Sequence, residues 1–241
     1  MNVKSYKYLA KIYNHLMDDI DYSEWAEYLY DLIEEYIDED PNILELASGS
    51  CTLTKHLKKY FDHIIATDYS KEMLKFDGKI NSKICCDMRN LPFKEKFDVI
   101  FSAFDSVNYL LSLDDLKKML TEVKPILEDE GIFTFDVSLE PNSINNAEFL
   151  SREGVFSDIK YKQISEYDKT SRIHYNRFEL ELENGELIKE VHKQKIYSLD
   201  EYHKIFEETG FFVMEALDSF SFEDVSSHSE RAQFVLKKER A

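Results

Sequence analysis

Between residues 43 and 137 the chain repeats one pattern: a short apolar run, a turn of small or polar residues, then a segment with helical spacing. The runs fall at 43–46, 64–67, 82–86, 97–101 and 132–137. Five such alternations predict a parallel sheet covered on both faces. Two helices precede the first run. Leu9, Ile12, Tyr13 and Leu16 share one face of residues 6–17, and Trp25, Leu29, Leu32, Ile33 and Tyr36 share a face of a helix starting near Ser23. Within the alternation, 53–60 reads as a helix, Ser70 caps another through Leu74, and Ser112 opens a third carrying Leu116, Met119, Leu120, Val123 and Leu127. After Pro141 the pattern changes: 173–182 and 187–196 read as long strands joined at Asn184-Gly185, a strong hairpin signal. A capping box at Ser198 and Glu201, a helix stopping at Gly210, and strands at 211–217 and 233–236 close the chain. The expected organisation is a core of residues 1–141 and 197–241, with 142–196 as an antiparallel insertion that caps it.

A chain of 241 residues holds one such core and not two full-sized domains. With 48 acidic against 30 basic residues the formal charge is −18, which disfavours nucleic acid and anionic membrane surfaces as partners. Neither a signal-type apolar segment near the start nor a run of roughly 20 apolar residues is present, so a cytoplasmic protein is expected. Cys51, Cys85 and Cys86 include an adjacent pair that geometry keeps from bridging, and they read as reduced core thiols. The seven histidines show no metal-ligand spacing, and none is assigned a catalytic role.

In a doubly wound sheet, ligands lie beyond the carboxyl ends of the strands near the point where strand order reverses. Gly49, flanked by Ala47, Ser48 and Ser50, follows the first strand there, and small residues let backbone amides at a helix start approach a ligand. The plainer role for such a turn is packing. Asp68 ends the second strand about 20 residues on, the offset at which a carboxylate accepts from both ribose hydroxyls. Ser70 already supplies the helix cap that Asp68 would otherwise be. Glu45 interrupts the first apolar strand directly beneath the glycine turn, where a buried carboxylate needs a cation or donors. It repels a pyrophosphate and suits a sulfonium and an ammonium, which favours S-adenosylmethionine over a nicotinamide dinucleotide. Thr52, standing where a dinucleotide fingerprint would place its third glycine, points the same way.

The segment Ile43-Leu44-Glu45-Leu46-Ala47-Ser48-Gly49-Ser50-Cys51 resembles the first motif of class I S-adenosylmethionine-dependent methyltransferases. Thr67-Asp68-Tyr69-Ser70 resembles the family's ribose-binding segment, Cys86-Asp87-Met88-Arg89 its adenine-contacting motif, and 97–109 and 131–137 its fourth and fifth strands. The resemblance implies a Rossmann-like, doubly wound, mostly parallel seven-stranded α/β sheet with an antiparallel β insertion after strand five. It implies Tyr13, Glu45, Ala47, Ser48, Gly49, Asp68, Tyr69, Asp87 and Met88 as cofactor-binding residues, with Asp87 on the adenine amino group, Met88 on the ring and Tyr13 over the methionine carboxylate. The family has glycine where this chain has Ala47 and Cys51. Alanine is tolerable at a negative φ, while a side chain at position 51 is expected to narrow the approach near the methionine moiety.

Methyl transfer from a sulfonium is an in-line displacement, so the protein must chiefly align the reactants and exclude water, leaving S-adenosylhomocysteine as product. Asp105, at the end of strand four, is the candidate general base; Asn108 and Tyr109 share its loop. Phe149, Phe156, Tyr161, Tyr167, Tyr175 and Phe178 in the cap either pack a core or line an acceptor pocket. A small-molecule acceptor, methylated at N, O or C, fits the acidic charge and the cap. The alternatives are a catalytically silent cofactor-binding relative and an NAD(P)-dependent oxidoreductase.

Overall fold

The computed structural model describes residues 6–37, 40–76 and 80–239. Helix α1 (Ala10–Leu16) is short and turns Ile12 and Leu16 inward. Helix α2 (Tyr22–Glu34) begins where the Asp21 carboxylate accepts from the amides of Ser23 and Glu24, and it buries Trp25, Leu29, Leu32 and Ile33 as their spacing predicts.

The core strands are β1 (Ile43–Leu46), β2 (Ile64–Asp68), β3 (Lys83–Cys85), β4 (Phe97–Ser102) and β5 (Leu127–Ser138). Helix α3 (Thr52–Leu57) follows β1, and α4 (Leu113–Ile126), capped by Ser112, precedes β5. Beyond the short α5 (Glu140–Asn146), strands β6 (Arg152–Phe156), β7 (Ile159–Asp168), β8 (Ile173–Glu181) and β9 (Leu187–Lys195) build a separate antiparallel sheet in that order. Its β8–β9 hairpin turns at Gly185, where φ is 77°. Helix α6 (Leu199–Thr209) carries the expected capping box and stops at Gly210, before β10 (Phe211–Asp218), β11 (Glu223–Asp224) and β12 (Arg231–Lys238).

The main sheet runs β11-β10-β12-β5-β4-β1-β2-β3. Pairings among β1 to β5 are parallel, and β12 is antiparallel to both β5 and β10. The expected seven strands are present, with two-residue β11 added at the edge. Order reverses between β1 and β4: the chain leaves β1 for β2 and β3 on one side, then returns to the other. One face buries Leu46, Phe133 and Phe135 beneath α4 and α6; the other buries Ile43, Val99 and Phe101 beneath α2 and α3.

The alternation is less regular than the sequence suggests. The helix expected from Ser70 is a single 3₁₀ turn, Met73–Lys75, although Ser70 Oγ does accept from the Met73 amide. Met73 and Leu74 alone in that turn are buried, too little apolar contact to offset helix nucleation. Between β3 and β4 the chain makes a turn at Asp87 to Asn90 and passes Pro92 without helix. Among the cysteines, only Cys51 is a core thiol; Cys85 is exposed and Cys86 partly so, because β3 lies at the sheet edge. In the antiparallel sheet, Tyr161 and Phe178 pack with Leu180 and Ile188 against Leu9, Ile12 and Leu16 of the α1 segment, while Phe149 is exposed. No helix among the described residues is long and apolar enough to cross a membrane.

Candidate active site

The turn after β1 lies at the reversal point, and three alternate residues there adopt left-handed backbone: Ala47 at φ 55°, Gly49 at 57° and Cys51 at 61°. The expectation of a negative φ at Ala47 is therefore corrected. Each non-glycine residue in this region costs about 1–2 kcal/mol, and the loop keeps its shape because its amides are committed. Ser48 N donates to Thr67 O at 2.8 Å, Cys51 N to Ser48 O at 2.9 Å, and Gly49 N to Asp68 Oδ2 at 2.9 Å. A Cβ at Gly49 would stand 3.3 Å from the Met73 terminal methyl, a tight contact on a strained backbone. Cys51 turns its thiol into a cluster with Ala66, Leu74 and Ile80, so the side chain does not line the approach to the turn as the sequence suggested.

A cavity opens on this turn, lined by Glu45, Ala47, Ser48, Gly49, Ser50 and Thr52, by Ala103, Phe104 and Ser106 after β4, and by Tyr13 and Tyr22 from above. Glu45 is 2% exposed. Burial pushes its carboxyl up to about 8, against a lowering hydrogen bond donated by the Thr54 hydroxyl. No ion pair reaches Glu45 among the described residues. Asp68 is also raised, first by burial; its Oδ1 accepts from Ser70 N at 2.6 Å while Oδ2 holds Gly49. Two carboxyl groups thus stand at the ends of adjacent strands, one facing a cavity without a cation.

Helix α1 closes over the turn. Ser50 Oγ donates to Asn14 Oδ1 at 2.8 Å, and Tyr13, half-buried, contributes to the cavity wall with its hydroxyl pKa raised chiefly by burial. The helix is clasped from the antiparallel sheet: Glu190 Oε1 accepts from the amides of Tyr8 and Leu9, and Arg152 donates to Leu16 O.

The structure gathers Tyr13, Glu45, Ala47, Ser48 and Gly49 around one cavity, with Asp68 bonded to its loop. Tyr69, Asp87 and Met88 lie outside that lining. Tyr69 is exposed; Asp87 is held by the Arg89 guanidinium, which lowers its pKa and also grips Asp115 at 2.7 Å; Met88 packs half-buried against the core. Asp105 is committed elsewhere than to an acceptor. Its Oδ1 accepts from Arg231 at 3.2 Å and its Oδ2 from Gln194, while its own amide donates to Asp136 at 2.8 Å. Phe104 and Asp105 are both left-handed, at φ 59° and 47°, which turns the loop back over the cavity. Sequence reasoning missed Thr54, Phe104, Ser106, Gln194 and Arg231. The signal for Thr54 was its position one turn along α3 facing Glu45; Arg231, 126 residues from Asp105, left none.

Reversed strand order, a left-handed small-residue turn and acidic residues at the ends of β1 and β2 define an α/β protein that binds a nucleoside-containing cofactor at its switch point. Residues 44–135 match the family model described as a methyltransferase domain. Those residues therefore carry a methyltransferase domain, and the chain as a whole has the fold of class I S-adenosylmethionine-dependent methyltransferases. It is 29% identical to YqeM of Bacillus subtilis (strain 168), a protein named as a methyltransferase, over 98% of each chain. An S-adenosylmethionine-dependent methyltransferase from Clostridium acetobutylicum has the same fold, with a TM-score of 0.79 at 24% identity, covering 98% of this chain and 100% of that one. So does the sugar N-methyltransferase KedS8 from Streptoalloteichus, with a TM-score of 0.75 at 15% identity over 95% and 92% of the two chains.

Proposed function

We propose that this enzyme moves a methyl group from S-adenosylmethionine to a small-molecule acceptor by in-line displacement at the cavity between the β1 turn and the cap. The observation that carries the reading is Glu45, a buried carboxyl on the cavity wall with a hydroxyl partner and, among the described residues, no paired cation. A cationic ligand compensates it, and a pyrophosphate does not. The residues present fit the cofactor: Glu45 meets the ammonium, the 47–50 turn and Tyr13 the methionine carboxylate, and Asp68 the ribose hydroxyls. Asp87 and Met88, with Tyr69 beside them, continue the line along β2 and β3 to the adenine end.

When bound, the cofactor supplies a methyl carbon made electrophilic by a sulfonium. The chain supplies orientation and dryness, through α1 clasped over the turn and the cap behind it. Asp105, paired with Arg231 and Gln194, acts as a positioning residue for the loop after β4 rather than as a free base. A small acceptor is supported by the net charge of −18, by the closed cap, and by the likeness to a sugar N-methyltransferase.

Calorimetric titration tests the donor. S-adenosylmethionine and S-adenosylhomocysteine are expected to bind at micromolar concentration and NADH not at all; NADH binding alone would make the protein an oxidoreductase. Asp68→Ala is expected to weaken adenosyl binding roughly tenfold to a hundredfold, through loss of charge-assisted hydrogen bonds worth about 1.5–3 kcal/mol. Transfer of labelled methyl to a panel of amino sugars, catechols and aliphatic alcohols then tests the acceptor class. Exclusive labelling of RNA or protein would overturn it.

A further inference from the structure

Beside the donor cavity lies a second group of largely buried polar side chains that the cofactor assignment above does not use. Tyr109 ends the 3₁₀ turn Ser106–Tyr109, whose first residue lines the cavity. Its hydroxyl lies 3.1 Å from His192 Nδ1 on β9. His192 Nε2 faces Glu190 Oε2 at 3.5 Å, and among the described residues neither of those two buried atoms has a hydrogen-bond partner within normal reach. Both side chains are almost fully buried. A sheet held together by apolar packing needs no such row, and burying unpaired polar atoms is unfavourable, so their presence calls for a role.

We propose that Glu190, His192 and Tyr109 form a proton relay, in which the Tyr109 hydroxyl takes the proton from the acceptor atom that is to be methylated. This rests on the methyl-transfer reading above and narrows the acceptor to one that arrives carrying a proton: an alcohol, a phenol or an ammonium. His192 is the neutral tautomer with hydrogen on Nε2, directed at Glu190, and Nδ1 accepts from Tyr109. As the acceptor's O–H or N–H bond breaks, a bond forms from that hydrogen to the Tyr109 oxygen. The Tyr109 O–H bond breaks in turn, and its hydrogen joins His192 Nδ1. The acceptor keeps the electron pair, Tyr109 is unchanged, and the positive charge rests on an imidazolium beside the Glu190 carboxylate.

The surroundings suit each member. Burial, together with Asp105, Asp68 and Glu190, raises the Tyr109 pKa against a lowering bond from Tyr6, so Tyr109 carries protons without ionising. Burial works against the Glu190 carboxylate, but His192 and the amides of Tyr8 and Leu9 outweigh it and hold its pKa below the usual range. Tyr6 and Phe178 pack edge-to-face with the His192 ring, at 4.5 and 5.5 Å between centroids. The Tyr6 hydroxyl meets the Tyr109 oxygen at 2.7 Å, the place an acceptor hydroxyl would take. Tyr6 sits at φ 61°, an unfavourable conformation for an aromatic residue.

Imidazole ¹⁵N NMR on histidine-labelled protein reads the relay without any acceptor. The expected result is an Nε2–H tautomer for His192 at pH 7, with an Nδ1 resonance that shifts in Tyr109→Phe and an Nε2 resonance that shifts in Glu190→Gln. An Nδ1–H tautomer, or no response to Tyr109→Phe, would overturn the proposal. With the most active acceptor of the panel, Tyr109→Phe and His192→Gln should each lower kcat by about 10²- to 10⁴-fold, leave the acceptor KM within about threefold, and abolish the acid limb of the pH profile. Unchanged kcat would show a merely structural cluster. Calorimetry separates the two readings: failure of wild type to bind S-adenosylmethionine sinks the methyl-transfer reading, whereas normal donor binding in both variants with unchanged kcat sinks the relay alone.

Discussion

A carboxyl group buried at the end of β1 with a threonine hydroxyl for company destabilises the fold wherever it ionises. Glu45 has a folded-state pKa near 8 against an ordinary value of 4.5, so between those values the folded protein keeps a proton that the unfolded chain has lost. Its contribution is fully present below pH 4.5, declines as pH rises, and levels off above about 8. Glu45→Gln should remove that slope, raising stability at pH 8 by on the order of 4 kcal/mol and leaving it unchanged at pH 4, as thermal unfolding across pH would read. The same substitution should weaken the cationic donor. In wild type, donor binding at pH 7 should release a proton, visible as a buffer-dependent binding enthalpy, and Glu45→Gln should not. Two positions away, Ala47 holds a φ of 55° that glycine adopts freely. Relief of about 1–2 kcal/mol of strain, less glycine's entropy of about 0.5–1 kcal/mol, predicts a small gain for Ala47→Gly, read as a melting temperature a degree or two higher.

Helix α1 shows what an element owes to its neighbours. Seven residues cannot hold a helix in water, and this one stands because Glu190 and Arg152 of the cap bind its ends and Ile12 is wholly buried. Ile12→Ala should cost about 2–4 kcal/mol and let α1 exchange its amides freely while β1 and β4 stay protected; uniform loss of protection would show that α1 is not a separate lid. That α1 would be helical was legible in the spacing of Leu9, Ile12 and Leu16; that it is clasped by β9 and hooked to Ser50 was not, because end-capping across 181 residues leaves no periodic mark. The sheet was legible for the opposite reason: each buried strand is a local apolar run, and the Asn184-Gly185 hairpin is written in its turn residues. Gly49 and Glu45 could be placed from their position at the end of a strand. The left-handed φ of Ala47 and Cys51 could not, since nothing local demands it of non-glycine residues. His192 was passed over because a relay partner has no spacing rule comparable to a metal ligand's.

Over the whole molecule, acidic residues outnumber basic ones by 48 to 30, and one half-buried cation serves two of those anions. Arg231 on β12 holds Asp105 at 3.2 Å and bonds Asp136 of β5, while Gln194 of β9 bonds the same Asp105. One guanidinium therefore ties the closing strand, the centre of the sheet, the loop over the cavity and the cap. Asp136 depends on it most: burial raises its carboxyl to about 6 even with Arg231 beside it. Arg231→Met strands two carboxylates in a poorly solvated place and should cost about 3–5 kcal/mol at pH 8, far more than an exposed ion pair is worth. Without the cation the folded-state pKa of Asp136 rises further above its unfolded value, so the variant should regain stability as pH falls towards 5. Arg231→Met with Asp136→Asn removes the stranded charge as well as the cation, and should recover at least about 1 kcal/mol of the loss with a flatter pH dependence. If the double variant were no more stable than the single one at every pH, the guanidinium would act through its packing over Trp25, 5.8 Å away, and the cap would be joined to the core by shape rather than by charge.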